Sequence, residues 1–293
     1  MSVRCLRYSY VDDPTLYDRV FELLDLAFPG AELPLQSRTA RQLGMRWEEV
    51  TTPFCLFDGE RLLAHVGVLD LPLVLAGREV HVGGIHAVAT HPHFRRRGYY
   101  RAVMEDALRW ADARYQTLQL STAQPELYEP FGFRVVPEHR FIGAWSHNLG
   151  RNRLRVLDYG CADDLALIHT LLRERTPISH RLGVVREYAV FLFNEARRSL
   201  YYAADLDLIV SFESEGTTLR LFDLVGRALP PLFEIVERIP LRFQRVETHF
   251  TPDRLAAELQ PEAHLLNGDD YLMVRGSYPP ERQPLMLPRT ARC

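Results

Sequence analysis

The chain contains no lysine, so all 35 basic residues among its 293 are arginine. That excludes Schiff-base catalysis, any phosphate loop built on a lysine, and self-acetylation on lysine. Neither charge sign is in surplus: 35 basic against 38 acidic residues leave a net charge of -3, so there is no global field for nucleic acid or an anionic membrane. Cysteine is sparse, and Cys5, Cys55, Cys161 and Cys293 form no C-x-x-C pair, which argues against a zinc knuckle, a redox motif or a disulfide framework. Long apolar runs are missing too. The stretch from Leu69 to Ala76 is interrupted by Asp70 and Pro72, and the opening MSVRCLRYSY has no apolar signal core, so a cytoplasmic chain in a reducing compartment is expected. What is abundant is core material: 47% of residues are hydrophobic and 25% charged, enough for one or two globular domains.

An internal repeat organises this material. Residues 3–16 align without gaps on residues 154–167, with Arg4/Arg155, Leu6/Leu157, Tyr8/Tyr159, Asp12/Asp163, Asp13/Asp164 and Leu16/Leu167 identical. Each copy alternates like a strand, then places an acidic pair before apolar residues at helical spacing. A duplication is expected, with domains at 1–147 and 148–278 and a proline-rich tail at 279–293, extended or mobile. Loops of the second half, from Thr176 to Arg186 or from the tail, are expected to wall a cleft in the first.

In the first half, Pro53–Leu56, Leu62–Leu69, Leu71–Leu75 and Glu79–Thr90 read as a strand meander with turns at Asp58-Gly59 and Ala76-Gly77. A helix follows, with Val103, Met104, Ala107, Leu108 and Ala111 on one face, then a strand at Thr117–Ser121. Between meander and helix lies H-P-H-F-R-R-R-G-Y-Y-R, from His91 to Arg101. A helix start offers unpartnered N–H groups, a glycine permits close backbone approach, and arginines add charge-assisted bonds, so a diphosphate suits this junction.

The strand A-V-A-T-H-P, the loop R-R-R-G-Y-Y-R, the amphipathic helix, the next strand and Y-E-P-F-G-F from Tyr128 to Phe133 together resemble the GNAT superfamily of acyl-CoA-dependent N-acyltransferases. The resemblance covers residues 1 to about 145. It implies an α/β (α+β) fold, here as tandem GNAT-like domains, each a mostly antiparallel sheet flanked by helices. It further implies that acetyl-CoA is the cosubstrate and a small-molecule or peptide amine the acceptor. Cofactor contacts are expected at Val88, Ala89 and Thr90, pairing by backbone with the pantetheine arm, and at Arg95, Arg96, Arg97, Gly98, Tyr99, Tyr100 and Arg101, cradling the pyrophosphate. Tyr100 departs from the family's loop, which has glycine or alanine at that position. Tyr128 corresponds to the tyrosine that protonates the leaving thiolate. His86 is the expected proton acceptor, with His65 second.

His81, His86, His91 and His93 lack a metal-ligand spacing, and no metal is expected. In the second half, strands at Tyr201–Asp205, Leu208–Glu213 and Thr218–Leu224 and a helix at Leu229–Ile239 repeat the order of the first. F-D-L-V-G-R-A-L-P-P, from Phe222 to Pro231, stands where the arginine loop should be, and with one arginine and two prolines that remove donors it is expected to be a worn cofactor site. Two functions follow from the motifs: direct N-acetyl transfer in a ternary complex, or a non-catalytic acyl-CoA-binding or regulatory module, the latter motivated by Tyr100 and the unassigned base.

Overall fold

The protein is described by a computed structural model covering residues 4–145, 153–255 and 258–293, with the Arg4 and Cys5 side chains left aside. In chain order the first part runs β1 (Arg4–Arg7), α1 (Thr15–Ala27), α2 (Leu33–Gln42), α3 (Trp47–Val50), β2 (Thr51–Asp58), β3 (Arg61–Leu75), β4 (Arg78–Thr90), α4 (Tyr99–Asp112), β5 (Thr117–Thr122), β6 (Arg134–Val135) and β7 (His139–Ala144). It continues with β8 (Leu154–Val156), α5 (Ala162–Glu174), β9 (Leu182–Val184), α6 (Ala189–Glu195), β10 (Tyr201–Ala203), β11 (Leu208–Glu215), β12 (Thr218–Gly226), α7 (Leu232–Val236), β13 (Arg245–Thr248), β14 (Gln260–Ala263) and β15 (Tyr271–Gly276).

Local chemistry explains most of these elements. Ala76 and Gly77, at φ 50° and 81°, form the two-residue turn between β3 and β4, whose mirror-type geometry matches the twist of the paired strands. Gly98 at φ 79° caps α4, a backbone position that disfavours a side chain although nothing crowds the space a Cβ would take. The buried face of α4 is Val103, Met104, Ala107, Leu108 and Ala111, and it packs on Phe54, Val66, Val68 and Ile85. The meander differs from expectation in one respect: Leu62–Leu69 and Leu71–Leu75 form a single strand, β3, which runs through Pro72. The helix expected over Leu229–Ile239 is shorter, α7 spanning five residues.

The strands form two sheets of one design. The first has the order β1-β2-β3-β4-β5-β15-β6, with β9 added beside β3, and the second β8-β10-β11-β12-β13-β7-β14. Position by position the pairing agrees: β4 and β5 are parallel, as are β12 and β13, and the remaining neighbours are antiparallel. The duplication expected from the openings is therefore present as a repeated topology. The sixth strand of each sheet comes from the other half: β7 lies in the second sheet between β13 and β14, and β15 lies in the first between β5 and β6. A cut after residue 147 would thus take β9 and β15 from the first sheet and β7 from the second, so neither expected domain contains its whole sheet. The exchange depends on pairings between residues more than 100 positions apart, which no local pattern encodes.

The proline-rich tail also departs from expectation. Leu285, Met286, Leu287 and Ala291 are fully buried, Arg292 pairs with Glu138, and the Leu287 N–H donates to Glu138 Oε1 at 2.8 Å. Deeper in the second half, Arg175 and Asp223 form a buried ion pair at 2.6 Å that also receives the Thr290 hydroxyl. One apolar core continues through both halves, joining α1 and β3 to α5, α6 and the tail.

Candidate active site

The site grows out of an interrupted pairing in the first sheet. Strand β4 pairs with β5 only at Gly83 and Gly84, after which the two diverge, so from Ile85 to Thr90 the β5-facing edge of β4 has no strand partner. Cys293 sits in the fork. Its carbonyl accepts from the Ser121 N–H at 3.1 Å, and its Sγ lies 2.8 Å from where a Cβ on Gly84 would project. Burial pushes the Cys293 thiol up to about 12.

A bulge reshapes β4 in the same region. The register against β3 slips between His65 and Gly67, and Ala87 takes φ 49°. The Ala87 carbonyl lies 2.8 Å from His65 Nδ1; because a carbonyl only accepts, that nitrogen carries the proton and Nε2 accepts from the Tyr10 hydroxyl at 3.3 Å. Burial drives His65 down to about 4, and its partners make it a brace for the bulge rather than a free base. His86 is likewise enclosed: Nε2 lies 2.7 Å from Thr51 Oγ1, Trp47 packs edge-on to its ring, and burial and the nearby His65 push it down to about 3. His86 also lines the cavity beyond Tyr128, where a ring so weakly basic offers little driving force as a proton acceptor at neutral pH.

The arginine loop stands beside the fork. The first main-chain bond of α4 runs from the Ala102 N–H to the Gly98 carbonyl at 3.0 Å, which leaves the amides of Tyr99, Tyr100 and Arg101 ahead of the helical ladder. A groove of about 680 Å³ passes over them, lined among others by Val88, Thr90, Arg95, Arg96, Arg101 and Tyr128. The three arginines differ in their engagement. Arg95 ties Thr90 and Ala27 together through their carbonyls at 3.4 and 3.2 Å, Arg96 lines the groove, and Arg97 lies outside it, 5.2 Å above the Phe94 ring. Tyr100 leans away from the loop and donates its hydroxyl to the Leu127 carbonyl at 2.8 Å, so it braces the Pro125–Phe131 turns while its amide stays at the helix start.

Tyr128 is buried at the end of this groove, packed edge-on to Tyr100 and Phe133. Burial pushes its phenol up to about 12, against a smaller opposing pull from the Thr122 hydroxyl, so it is protonated at neutral pH. On the other side of Tyr128 a second cavity of about 470 Å³ opens, which shares Phe28, Val88, Thr122, Ala123 and Tyr128 with the groove. The second half contributes Val190, Phe193 and Asn194 from α6 together with Asp270, Arg292 and Cys293. The tail thus helps wall the cleft, as expected; the segment from Thr176 to Arg186 does not, because its strand β9 is paired with Leu73–Leu75 of β3.

Sequence reasoning missed Trp47 and Phe193. Neither carries a local signal: Trp47 reaches the site by packing on His86, and Phe193 by packing on Trp47 across the two halves.

The corresponding fork of the second sheet, where β12 leaves β13 beyond Leu221, holds no comparable loop. Arg227 there is engaged by Glu174 at 2.6 Å and by Asp207. A polar cavity of about 450 Å³ fills that fork, lined by Phe222, His249 and Arg289, and meets the cleft at Asn194, Asp270 and Arg292. Among the described residues no group of three or more His, Cys, Asp or Glu side chains is placed to hold a metal ion, and no helix is long and apolar enough to cross a membrane.

Known proteins share this architecture. A conserved protein of Enterococcus faecalis V583 superposes with a TM-score of 0.60 at 15% identity, over 94% of this chain and 72% of its own. A GCN5-related N-acetyltransferase from Kribbella flavida does so at 0.56 and 18% identity, over 93% and 70%, and Eis1 of Mycobacterium abscessus at 0.56 and 16%, over 92% and 73%. None of the curated protein sequences matches the chain. At such identities these likenesses concern the fold. The sequence model of the acetyltransferase (GNAT) domain matches residues 13–136, which span the fork, the arginine loop and Tyr128, and this part of the chain is a GNAT acetyltransferase domain.

Proposed function

We propose that the protein transfers an acetyl group from acetyl-CoA to an amine by direct attack within a ternary complex. The observation that carries this reading is the meeting of two cavities at Tyr128, one running back to the arginine loop and α4, the other opening toward the second half. A thioester lying along the first would present its carbonyl where an amine in the second can reach it.

Each group in the groove has a physical task. The free amides of Tyr99, Tyr100 and Arg101, with the positive end of the α4 dipole, hold the pyrophosphate, and the Arg96 and Arg101 side chains add charge-assisted bonds. The unpaired edge of β4 at Val88, Ala89 and Thr90 takes the pantetheine amides as a sheet takes another strand. The amine nitrogen attacks the thioester carbon, the C–S bond breaks, and the sulfur leaves with the Tyr128 proton. The amine's surplus proton leaves through water, and Tyr128 regains its own from solvent.

Incubation with acetyl-CoA and a panel of primary amines, followed by thiol release and by mass spectrometry of the amine, tests this. Thiol release matched by N-acetylated product is expected. CoA binding without transfer to any amine would instead favour the non-catalytic acyl-CoA-binding module.

A further inference from the structure

Resting on that reading, we propose that the acceptor is a monoamine carried on an aromatic or aliphatic body, and not a polycation. The cavity beyond Tyr128 is walled by Phe21 and Leu24 of α1, by Leu33, by Trp47, and by Val190 and Phe193 of α6. Trp47 and Phe193 pack with their rings tilted by 33° and centroids 5.6 Å apart, and form one aromatic wall contributed by both halves. Its volume of about 470 Å³ lies in the range of small-molecule sites.

Side-chain charge among the described residues of the cavity lining is confined to a single pair. Among the described residues of the lining Asp270 is the one side-chain carboxylate and Arg292 the one guanidinium, and they lie 3.4 Å apart. An acceptor with several ammonium groups would be stripped of water against phenylalanine and leucine, meeting a single side-chain carboxylate that already has a cation beside it, and each unpaired charge is costly to desolvate. A hydrophobic body gains by the same burial that a polycation loses.

The apolar wall also bears on the chemistry. Only a neutral amine attacks, and an alkylamine in water is mostly protonated at neutral pH. Desolvation lowers the pKa of an ammonium group, so this wall favours the reactive form. The cavity thereby does part of the work that the weakly basic His86 does not.

Steady-state assays of thiol release with acetyl-CoA and either 2-phenylethylamine, hexylamine or spermidine test the inference. The two monoamines should show kcat/KM at least tenfold above spermidine. Phe193→Asp and Leu33→Asp, on separate elements, should each raise KM for 2-phenylethylamine at least tenfold with CoA affinity unchanged, and Phe193→Leu should raise it far less than Phe193→Asp. A preference for spermidine, or unchanged KM in both aspartate variants, overturns the acceptor class and leaves acetyl transfer standing. No thiol release with any of the amines, nor with a broader panel, overturns the transfer reading and this inference with it.

Discussion

The carbonyl of Cys293 accepts a hydrogen bond from the Ser121 N–H at 3.1 Å, so residues from the far end of the sequence are wedged into the fork where β4 parts from β5. The tail is thereby a structural part of the cleft. Its anchors lie just behind: Arg292 pairs with the buried Glu138, and Leu285, Met286 and Leu287 are enclosed by the core.

Arg292→Ala should therefore be severely destabilising, because it leaves the Glu138 carboxylate buried without its cation. A loss of about 3–5 kcal/mol is expected for such a broken pair. Urea denaturation measures it, and a loss below about 1 kcal/mol would show that the pair is dispensable.

Only the loop of the first sheet should bind CoA, and isothermal titration should give one site per chain. Arg96→Ala combined with Arg101→Ala should weaken binding at least tenfold, since each removes a charge-assisted contact of roughly 1.5–3 kcal/mol. Arg97→Ala should change affinity less than threefold, as that side chain lies over Phe94 outside the groove. Two sites per chain, or a large effect at Arg97 alone, would contradict this assignment.

Tyr128→Phe removes only the hydroxyl. Turnover should fall by about 10²-fold or more, the usual size of an acid–base contribution, with CoA affinity held within about threefold. A variant turning over within about threefold of wild type would take Tyr128 out of the acid role.

Stability should fall as pH drops from neutral toward 4. His65 and His86 have folded pKa values near 4 and 3, below the ordinary 6.5, so the unfolded chain binds more protons through this window. Their stabilising effect is complete above pH 6.5 and is lost as pH falls to the folded values; for His65 alone it amounts to about 3 kcal/mol. Denaturation midpoints across this range should show a shallower slope for His65→Gln, which cannot titrate. An unchanged slope would mean that His65 is not held neutral by the fold.

Much of the active-site half is written in short segments. The R-R-R-G run, the apolar face of α4 and the turns at Ala76-Gly77 and Asp58-Gly59 act through neighbours a few residues apart, and a sequence displays such neighbours directly. The repeated openings announced the duplication for the same reason. By contrast, strand alternation puts His86 on the same face as Val88 but says nothing of the bulge at Ala87 or of the Trp47 ring packed against it.

What the sequence by itself determined is the kind of domain and the position of its arginine loop, since both rest on local periodicity and on backbone needs such as the positive φ of Gly98. Tertiary structure alone decided the exchange of β7 and β15, the burial of the tail and the largely apolar lining of the cavity beyond Tyr128. Each of these is set by contacts between residues far apart in the chain, whose free energy depends on the shape of the folded surface and has no counterpart in any short window of sequence.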